Sequence, residues 1–386
     1  MRKGIWEEFD GYDDIIKEIE ASRKTGKMRS FKQDLADPYI TRLHPKQLDL
    51  RVVDIIQETP STKTFRLVAE DNYLPPFQAG QYISLFLDID GIRTSRPYSI
   101  SSQPRQIGFY DITVRRLEGG LVSNFLLDRI QIGDALKSSG PQGHFYHNPL
   151  YHEKTMICIA GGSGITPFMS MIREITECGI DRNVLLFYGN QNTDDVIFHQ
   201  ELLHLSQRFE NIRYISVIEN PETDYDGKCG LITGEIIQEA IGSRVDGRTF
   251  FLCGPQGMYD FCIPALELMG VPKRSIRREL YGPPVDICQY PGWPEDVSGD
   301  DIFKVAIKNG ENIQAPANVP LLVSLEKGGI IPPSICRSGE CSMCRVKVLS
   351  GSVFQPSGTP VRKSDHKYGY VHACVSYPLE DLEILL

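Results

Sequence analysis

The stretch Cys336-Arg-Ser-Gly-Glu-Cys341-Ser-Met-Cys344, with Cys374 after 29 intervening residues, decides the reading of this chain. It has the form C-x4-C-x2-C…C, the spacing by which four thiolates hold a [2Fe–2S] cluster. Two irons bridged by two sulfides need four thiolates. A tight loop can wrap three, and a distant strand supplies the last. Gly339 lets the backbone turn sharply beside the cluster, and nearby amide N–H groups can hydrogen-bond the sulfurs. A structural zinc site usually pairs two C-x2-C halves, and one half is missing here. Cys336, Cys341, Cys344 and Cys374 are therefore candidate metal ligands. The other six of the ten cysteines are scattered singly, as small buried hydrophobes are.

Outward from this loop the chain changes rhythm several times. From Leu48 to about Tyr146 it shows short strands punctuated by Gly and Pro, the pattern of an antiparallel barrel. One helix interrupts, Leu121–Arg129. From Thr155 to about Val271 apolar strands alternate with helical stretches, which implies a parallel sheet with helices on both faces. Residues 282–300, with four prolines and three glycines, read as a linker. Before the barrel, Asp13 to Ala21 forms a short helix with Ile15, Ile16 and Ile19 on one face. That helix either packs on its own protein or serves as a docking arm.

The chain's 386 residues allow two to four domains at roughly 100–200 residues each. A net charge of -9 argues against a nucleic-acid or anionic-membrane binder. No apolar run approaches the ~20 residues that span a bilayer. Acids stand in MRKGIWEEFDGYDD where a signal peptide has its apolar stretch, so the expected location is cytoplasmic.

Three further motifs carry chemistry. Arg96-Pro97-Tyr98-Ser99 lies in an expected strand, with Arg96 and Tyr98 on one face and Pro97 and Ser99 on the other. Gly119-Gly120-Leu121-Val122-Ser123 opens a helix, and its glycines, hydroxyl and helix N-terminus suit a phosphate. The strand Ile157–Ala160 runs into Gly161-Gly162-Ser163-Gly164-Ile165-Thr166-Pro167. There Thr166 reads as an N-cap and Pro167 as a first-turn residue, and the glycines let backbone N–H groups approach a pyrophosphate. Phe250-Phe251-Leu252-Cys253-Gly254-Pro255 is a strand that ends just before another helix. Taken alone, each is also compatible with a plain strand or turn.

Their order is informative. The surroundings of the cysteines, GGIIPPSICRSGECSMCRVKVLSG and YGYVHACVSYP, resemble the plant-type ferredoxin domain. Ser342-Met343 departs mildly from that motif, because Met is larger than the usual small residue. The other motifs resemble the ferredoxin–NADP reductase superfamily. Residues 48–386 as a whole resemble its phthalate dioxygenase reductase and phenylacetyl-CoA epoxygenase reductase members. The resemblance implies a multidomain chain. An N-terminal extension, 1–46, has no counterpart. An FAD-binding antiparallel β-barrel, 47–150, precedes an NAD(P)-binding α/β domain with a parallel sheet, 151–281. The linker, 282–300, leads to a β-grasp [2Fe–2S] ferredoxin-type domain, 301–386.

The resemblance also implies roles. Arg96 binds the flavin phosphate, Tyr98 packs on the isoalloxazine, and Ser99 bonds near N5. Ser123 and its loop meet the pyrophosphate. Gly161, Gly162, Gly164, Thr166 and Pro167 form the nicotinamide-dinucleotide loop. Cys253, Gly254 and Pro255 lie beside the nicotinamide, unless Cys253 is only a small buried residue. Glu279 and Tyr281 close the site near the flavin ring. FAD is favoured over FMN. NADH is favoured over NADPH, because 189–195 carries no cation and holds Asp194 and Asp195, although Asp194 could simply cap the next helix.

The implied activity carries electrons from NAD(P)H to flavin, then to the [2Fe–2S] cluster, then to an unidentified electron-accepting redox protein. A noncatalytic electron-transfer subunit and a redox sensor are the rival readings. Residues 301–386 hold 9 Lys+Arg against 8 Asp+Glu, a balance that implies weak electrostatic steering toward the partner.

Overall fold

Leu48, Leu50 and Val52 are buried while Asp49, Arg51 and Val53 are exposed, the alternation of a half-buried strand. The computed structural model describes residues 12–25, 36–222, 225–242, 244–284, 286–357 and 359–386. It divides into two compact units, Met1–His44 and Pro45–Leu386. The first holds helices α1 (Tyr12–Thr25) and α2 (Asp37–Leu43). α1 is longer than the sequence pattern indicated, and its Ile15 and Ile19 are exposed. The motif-bearing start of the chain, residues 1–11, lies outside the described residues.

The second unit begins with six antiparallel strands: β1 (Leu48–Thr59), β2 (Thr62–Ala69), β3 (Tyr82–Ile89), β4 (Ile92–Ser99), β5 (Tyr110–Arg115) and β6 (Ala135–Ser138). Their order is β4-β3-β6-β1-β2-β5. A bridge between Ile100 and Ile112 joins the outer strands and closes the barrel. α3 (Leu121–Arg129) packs Val122, Leu126 and Leu127 into its core.

A parallel sheet follows: β7 (Thr155–Gly161), α4 (Thr166–Glu177), β8 (Asn183–Asn190), α5 (His199–Arg208), β9 (Ile212–Ile218), β10 (Lys228–Cys229), α6 (Gly234–Ile241), β11 (Arg248–Cys253), α7 (Gln256–Leu268) and β12 (Ile276–Glu279). The strand order is β10-β9-β8-β7-β11-β12. Phe168, Ile172 and Leu202 fill one face, and Ile237, Tyr259 and Leu266 fill the other. The direction of winding reverses between β7 and β11. In open α/β sheets a ligand crevice opens at the carboxyl ends of such a pair.

The C-terminal part holds β13 (Ile302–Ile307), β14 (Asn312–Pro316), α8 (Leu321–Lys327), β15 (Arg345–Ser350), β16 (Val353–Phe354), α9 (Lys363–Lys367), β17 (Tyr370–His372), β18 (Tyr377–Pro378) and β19 (Leu382–Leu385). Five strands form a mixed sheet in the order β14-β13-β19-β15-β17, with β13 and β19 parallel. α8 buries Leu321, Leu322 and Leu325 against it. Several of these elements lack a clear sequence signal. β12 carries Arg277 and Arg278, and α8 has only seven residues, too few for helical periodicity to show. The segment expected as a linker contains no helix or strand among its described residues. It is anchored rather than free, because Ile287 is buried and the Trp293 ring packs edge-on 5.3 Å from that of Phe354.

The crevice is held by backbone contact. A Cβ on Gly164 would stand 2.0 Å from the Cys253 carbonyl oxygen, and one on Gly254 would stand 3.0 Å from the Gly161 nitrogen. Gly164→Ala is therefore expected to destabilise the parallel-sheet domain by about 1–3 kcal/mol. Calorimetry should show that domain's transition moving down in temperature. An unchanged transition would contradict this packing.

Candidate functional site

β4 sets the flavin motif. Its ladder with β3 pairs Arg96 with Leu85, Pro97 with Ser84, Tyr98 with Ile83 and Ser99 with Tyr82. Cross-strand partners share a face, so Arg96 and Tyr98 lie on one side and Pro97 and Ser99 on the other. Tyr98 packs against the barrel core. One nitrogen of Arg96 donates to Thr94 Oγ1 at 2.8 Å and to the Ser95 carbonyl at 2.7 Å. Among the described residues no carboxylate forms an ion pair with it. Burial, helped by nearby Arg337, lowers its guanidinium to about 10. A partly buried cation without a direct counter-ion fits an anionic group such as a phosphate.

α3 supplies a second anion-binding element. Gly119 has φ +66°, and Gly120 is an N-cap without a side-chain hydrogen bond. The first-turn N–H groups are thus left for a ligand. The side chain of Val122 is buried in the barrel, so only its backbone is available. Ser123 Oγ accepts from the Leu117 N–H at 3.1 Å and would sit 2.6 Å from a Cβ on Gly120.

The loop after β7 differs from expectation at one residue. Thr166 is not an N-cap. A short 3-10 turn, Gly162–Ile165, runs straight into α4, so Thr166 already has helical angles. Its hydroxyl donates back to the Ser163 carbonyl at 3.0 Å. Pro167 does stand in the first turn. Gly162 has φ +52°, and a Cβ there would meet the Arg115 guanidinium at 2.7 Å. Arg115 pairs with Asp195, which also accepts from Ser61 at 2.7 and 2.9 Å. Asp194 caps no helix, because it lies in its own 3-10 turn and α5 begins after Phe198.

Four elements converge at the hydroxyl of Tyr281. It lies 3.0 Å from Ser99 Oγ and 3.2 Å from Thr166 Oγ1, with the Cys253 thiol beside it. The tyrosine is 40% exposed overall, yet this tip is enclosed. Burial pushes the Cys253 thiol well above its ordinary value, so it stays protonated and does not act as a nucleophile. The Tyr259 hydroxyl accepts from the Gly254 N–H at 3.0 Å and donates to the Glu279 carbonyl. That bond ties the turn after β11 to the end of β12. Pro255 packs its ring over the Gly161 position. Glu279 is buried, and burial together with Glu340 and Cys336 raises its carboxyl.

The cysteine loop lies against this point. Cys336 neighbours the thiols of Cys341 and Cys374, and Cys344 also neighbours Cys374. Backbone N–H groups of Ser338 and Cys341 point at the Cys336 sulfur, at 3.5 and 3.3 Å. Arg337, Gly339 and Ser342 all have positive φ, at +55°, +83° and +59°. A Cβ on Gly339 would meet Val375 at 2.9 Å. Two strained non-glycine residues in so short a loop fit a backbone wrapped around a cluster. The buried His372 ring holds the Gly339 carbonyl at 2.7 Å.

An ion pair joins this loop to the barrel. Arg337 forks onto Glu326 at 2.6 and 2.9 Å, with both side chains buried. Thr94 Oγ1 donates to Glu326 at 3.0 Å. Nearby, Ser84 Oγ donates to the Ile335 carbonyl and Ser95 Oγ meets Ser334, at 3.1 and 2.9 Å.

Three family models match in the expected order: an oxidoreductase FAD-binding domain over 49–147, an oxidoreductase NAD-binding domain over 158–263, and a 2Fe-2S iron-sulfur cluster binding domain over 306–379. The NADH oxidoreductase HCR of Escherichia coli is 30% identical over 86% of this chain and 96% of its own length. The glycine betaine monooxygenase reductase subunit of Chromohalobacter salexigens is 29% identical over 87% of this chain and 94% of its own. The solved phthalate dioxygenase reductase, at 24% identity, superposes with a TM-score of 0.63 over 88% of this chain and 97% of that one. The chain belongs to the reductases that join an FAD-binding, an NAD-binding and a 2Fe-2S iron-sulfur cluster binding domain. It is a flavin-dependent NAD(P)H oxidoreductase whose cofactors are FAD, NAD and a [2Fe–2S] cluster.

Several residues of this reductase's site gave no signal in the sequence. Tyr82 is buried where the barrel, Glu279 and the cluster loop meet, and burial with these negative neighbours raises its hydroxyl. Thr94 and Glu326 lie 232 residues apart. Arg115 reaches the nicotinamide loop from a barrel strand. Only folding brings such residues together, so no local motif marks them.

Arg96→Met should weaken flavin retention about tenfold or more, the loss of a charge-assisted hydrogen-bond partner. The flavin-to-protein absorbance ratio after gel filtration reads this directly, with unchanged circular dichroism as the folding control. Full retention would remove Arg96 from the flavin site.

Proposed function

We propose that the chain takes electrons from NADH and delivers them singly to a partner redox protein, an oxygenase component or another redox enzyme. The observation that supports this best is the meeting of three domains at one place. Ser99 comes from the barrel, Cys253 and Glu279 from the ends of β11 and β12, and Cys336 from the cluster loop. The relatives named above are an NADH oxidoreductase and a monooxygenase reductase subunit, which agrees with this order of transfer. A cytoplasmic location belongs to the same reading. No helix among the described residues is long and apolar enough to cross a membrane.

When bound, the flavin links hydride chemistry to single-electron chemistry, and the cluster carries one electron at a time. The chain's own residues position and enclose. Arg96 and the N-terminus of α3 bind the flavin's phosphates. Tyr98 would lie against the ring system, and the Ser99 hydroxyl would be available to hydrogen-bond at its edge. Gly161, Gly162 and the first turn of α4, with Pro167, receive the dinucleotide pyrophosphate, with Arg115 beside them as an added cation. Gly164 serves the packing of β7 on β11. Cys253, Gly254 and Pro255 would border the nicotinamide end of the dinucleotide and hold it in place for transfer. The buried Glu279 and Tyr82 close the side toward the cluster loop and exclude water. The loop after β8, Gln191–Asp195, holds no cation for a 2′-phosphate, which favours NADH over NADPH.

Anaerobic mixing is the test. NADH should bleach the flavin absorbance rapidly and the cluster absorbance after it, with NADPH much slower. No bleaching by either nucleotide would refute the function, and faster bleaching by NADPH would refute the nucleotide preference.

A further inference from the structure

The near-even charge of residues 301–386 hides a separation. Of its nine Lys and Arg, Arg345, Lys347, Arg362, Lys363 and Lys367 lie on β15, α9 and the segment leading into α9. The one acid among them, Asp365, is buried and paired with Arg345 at 3.0 Å. Glu326 faces inward onto Arg337, and Glu340, though exposed, lies on the side of the loop toward Glu279, Arg277 and Arg278. Glu380, Asp381 and Glu383 gather at the far end of β15, beside Ser350, Gly351 and Ser352.

The basic end is also the open end of the cluster loop. The Ile335–Arg337 arm is covered by the barrel. On the other arm Met343 is 46% exposed between Cys341 and Cys344, and Arg345 follows at once, exposed. A cleft of about 330 Å³ lies beside it, lined by Gln355, Pro356, Thr359, Val361, Lys363 and His366. The Thr359 methyl approaches Gly339 of the loop. Lys363 stands exposed at this cleft and offers a cation suited to a carboxylate.

We propose that this face, with the cleft at its centre, is the docking site for an acidic redox protein, whose carboxylates meet Lys363 and Lys367 and whose cofactor approaches Met343. This deepens the functional reading above and rests on it. Electrons enter the loop from the barrel side and leave on the opposite side. Each NADH releases one proton and NAD+ and supplies two electrons, which reduce two equivalents of a one-electron acceptor. Attraction of this kind speeds encounter and weakens with salt.

The test uses the full-length holoprotein carrying Lys363→Glu and Lys367→Glu together. The protein is reduced with dithionite, freed of excess, and mixed with acidic cytochrome b5 or basic cytochrome c, so the result does not depend on NADH. The double variant should reduce cytochrome b5 about tenfold more slowly and cytochrome c faster, with both effects shrinking at high salt. NADH bleaching of its flavin, measured separately, should equal that of the wild type. Rates with both cytochromes unchanged, or shifted in the same direction, would overturn the docking site while leaving the NADH reading intact. Binding to phosphatidylserine vesicles that the variant loses, with cytochrome rates unchanged, would assign the face to a lipid surface and also overturn it.

Discussion

The buried ion pair between Glu326 and Arg337 is the constraint on which the rest of the structure depends. Arg337 sits one residue after the first cluster cysteine, in a left-handed conformation that a non-glycine residue adopts only under constraint. Its guanidinium is fixed by a carboxylate from α8, and that carboxylate is also held by Thr94 of β4. Thr94 in turn accepts from Arg96. The chain of contacts therefore runs from Arg96 of β4 to the cysteine loop without leaving the protein. Charges of this kind are costly to desolvate and are stable only when every partner is present. Two cations around one anion leave a net positive site, which a flavin phosphate would complete.

The second organising feature is the reversal of winding between β7 and β11. It places two strand ends in backbone contact at Gly161, Gly164, Cys253 and Gly254. Tyr259 then anchors the turn to β12, and β12 carries Glu279 to the cluster loop. Tyr281, just beyond, meets Ser99 of the barrel and Thr166 of α4, with the Cys253 thiol beside it. Reactive groups from separate domains are thus aligned by a few short hydrogen bonds. The protein's contribution to such chemistry is position and water exclusion.

Much of this was legible in the residues. The barrel strands, the α/β alternation and α3 follow from periodicity and from Gly and Pro punctuation. The four cysteines stand out by spacing, whereas the Arg96–Ser99 motif is read only through its order among the other motifs. Other features were hidden for physical reasons. Thr166 has the chemistry of a cap, but the preceding 3-10 turn moves the helix start ahead of it. Asp195 reads as a local acid, yet its charge is satisfied by Arg115 from the barrel. The prolines and glycines of 282–300 suggest a free tether, whereas Ile287 and Trp293 bind the segment down. The near-neutral composition of 301–386 implied weak electrostatic steering, because counting charges says nothing of where they lie.

The Glu326–Arg337–Thr94 clasp fixes the cysteine loop against the barrel that binds the flavin. Glu326→Gln keeps the shape and removes the charge. Stopped-flow mixing with NADH separates flavin bleaching from cluster bleaching in one trace. With the cluster spectrum intact, the flavin phase should keep its wild-type rate and the cluster phase should slow. A cluster phase at the wild-type rate in that variant would contradict the account.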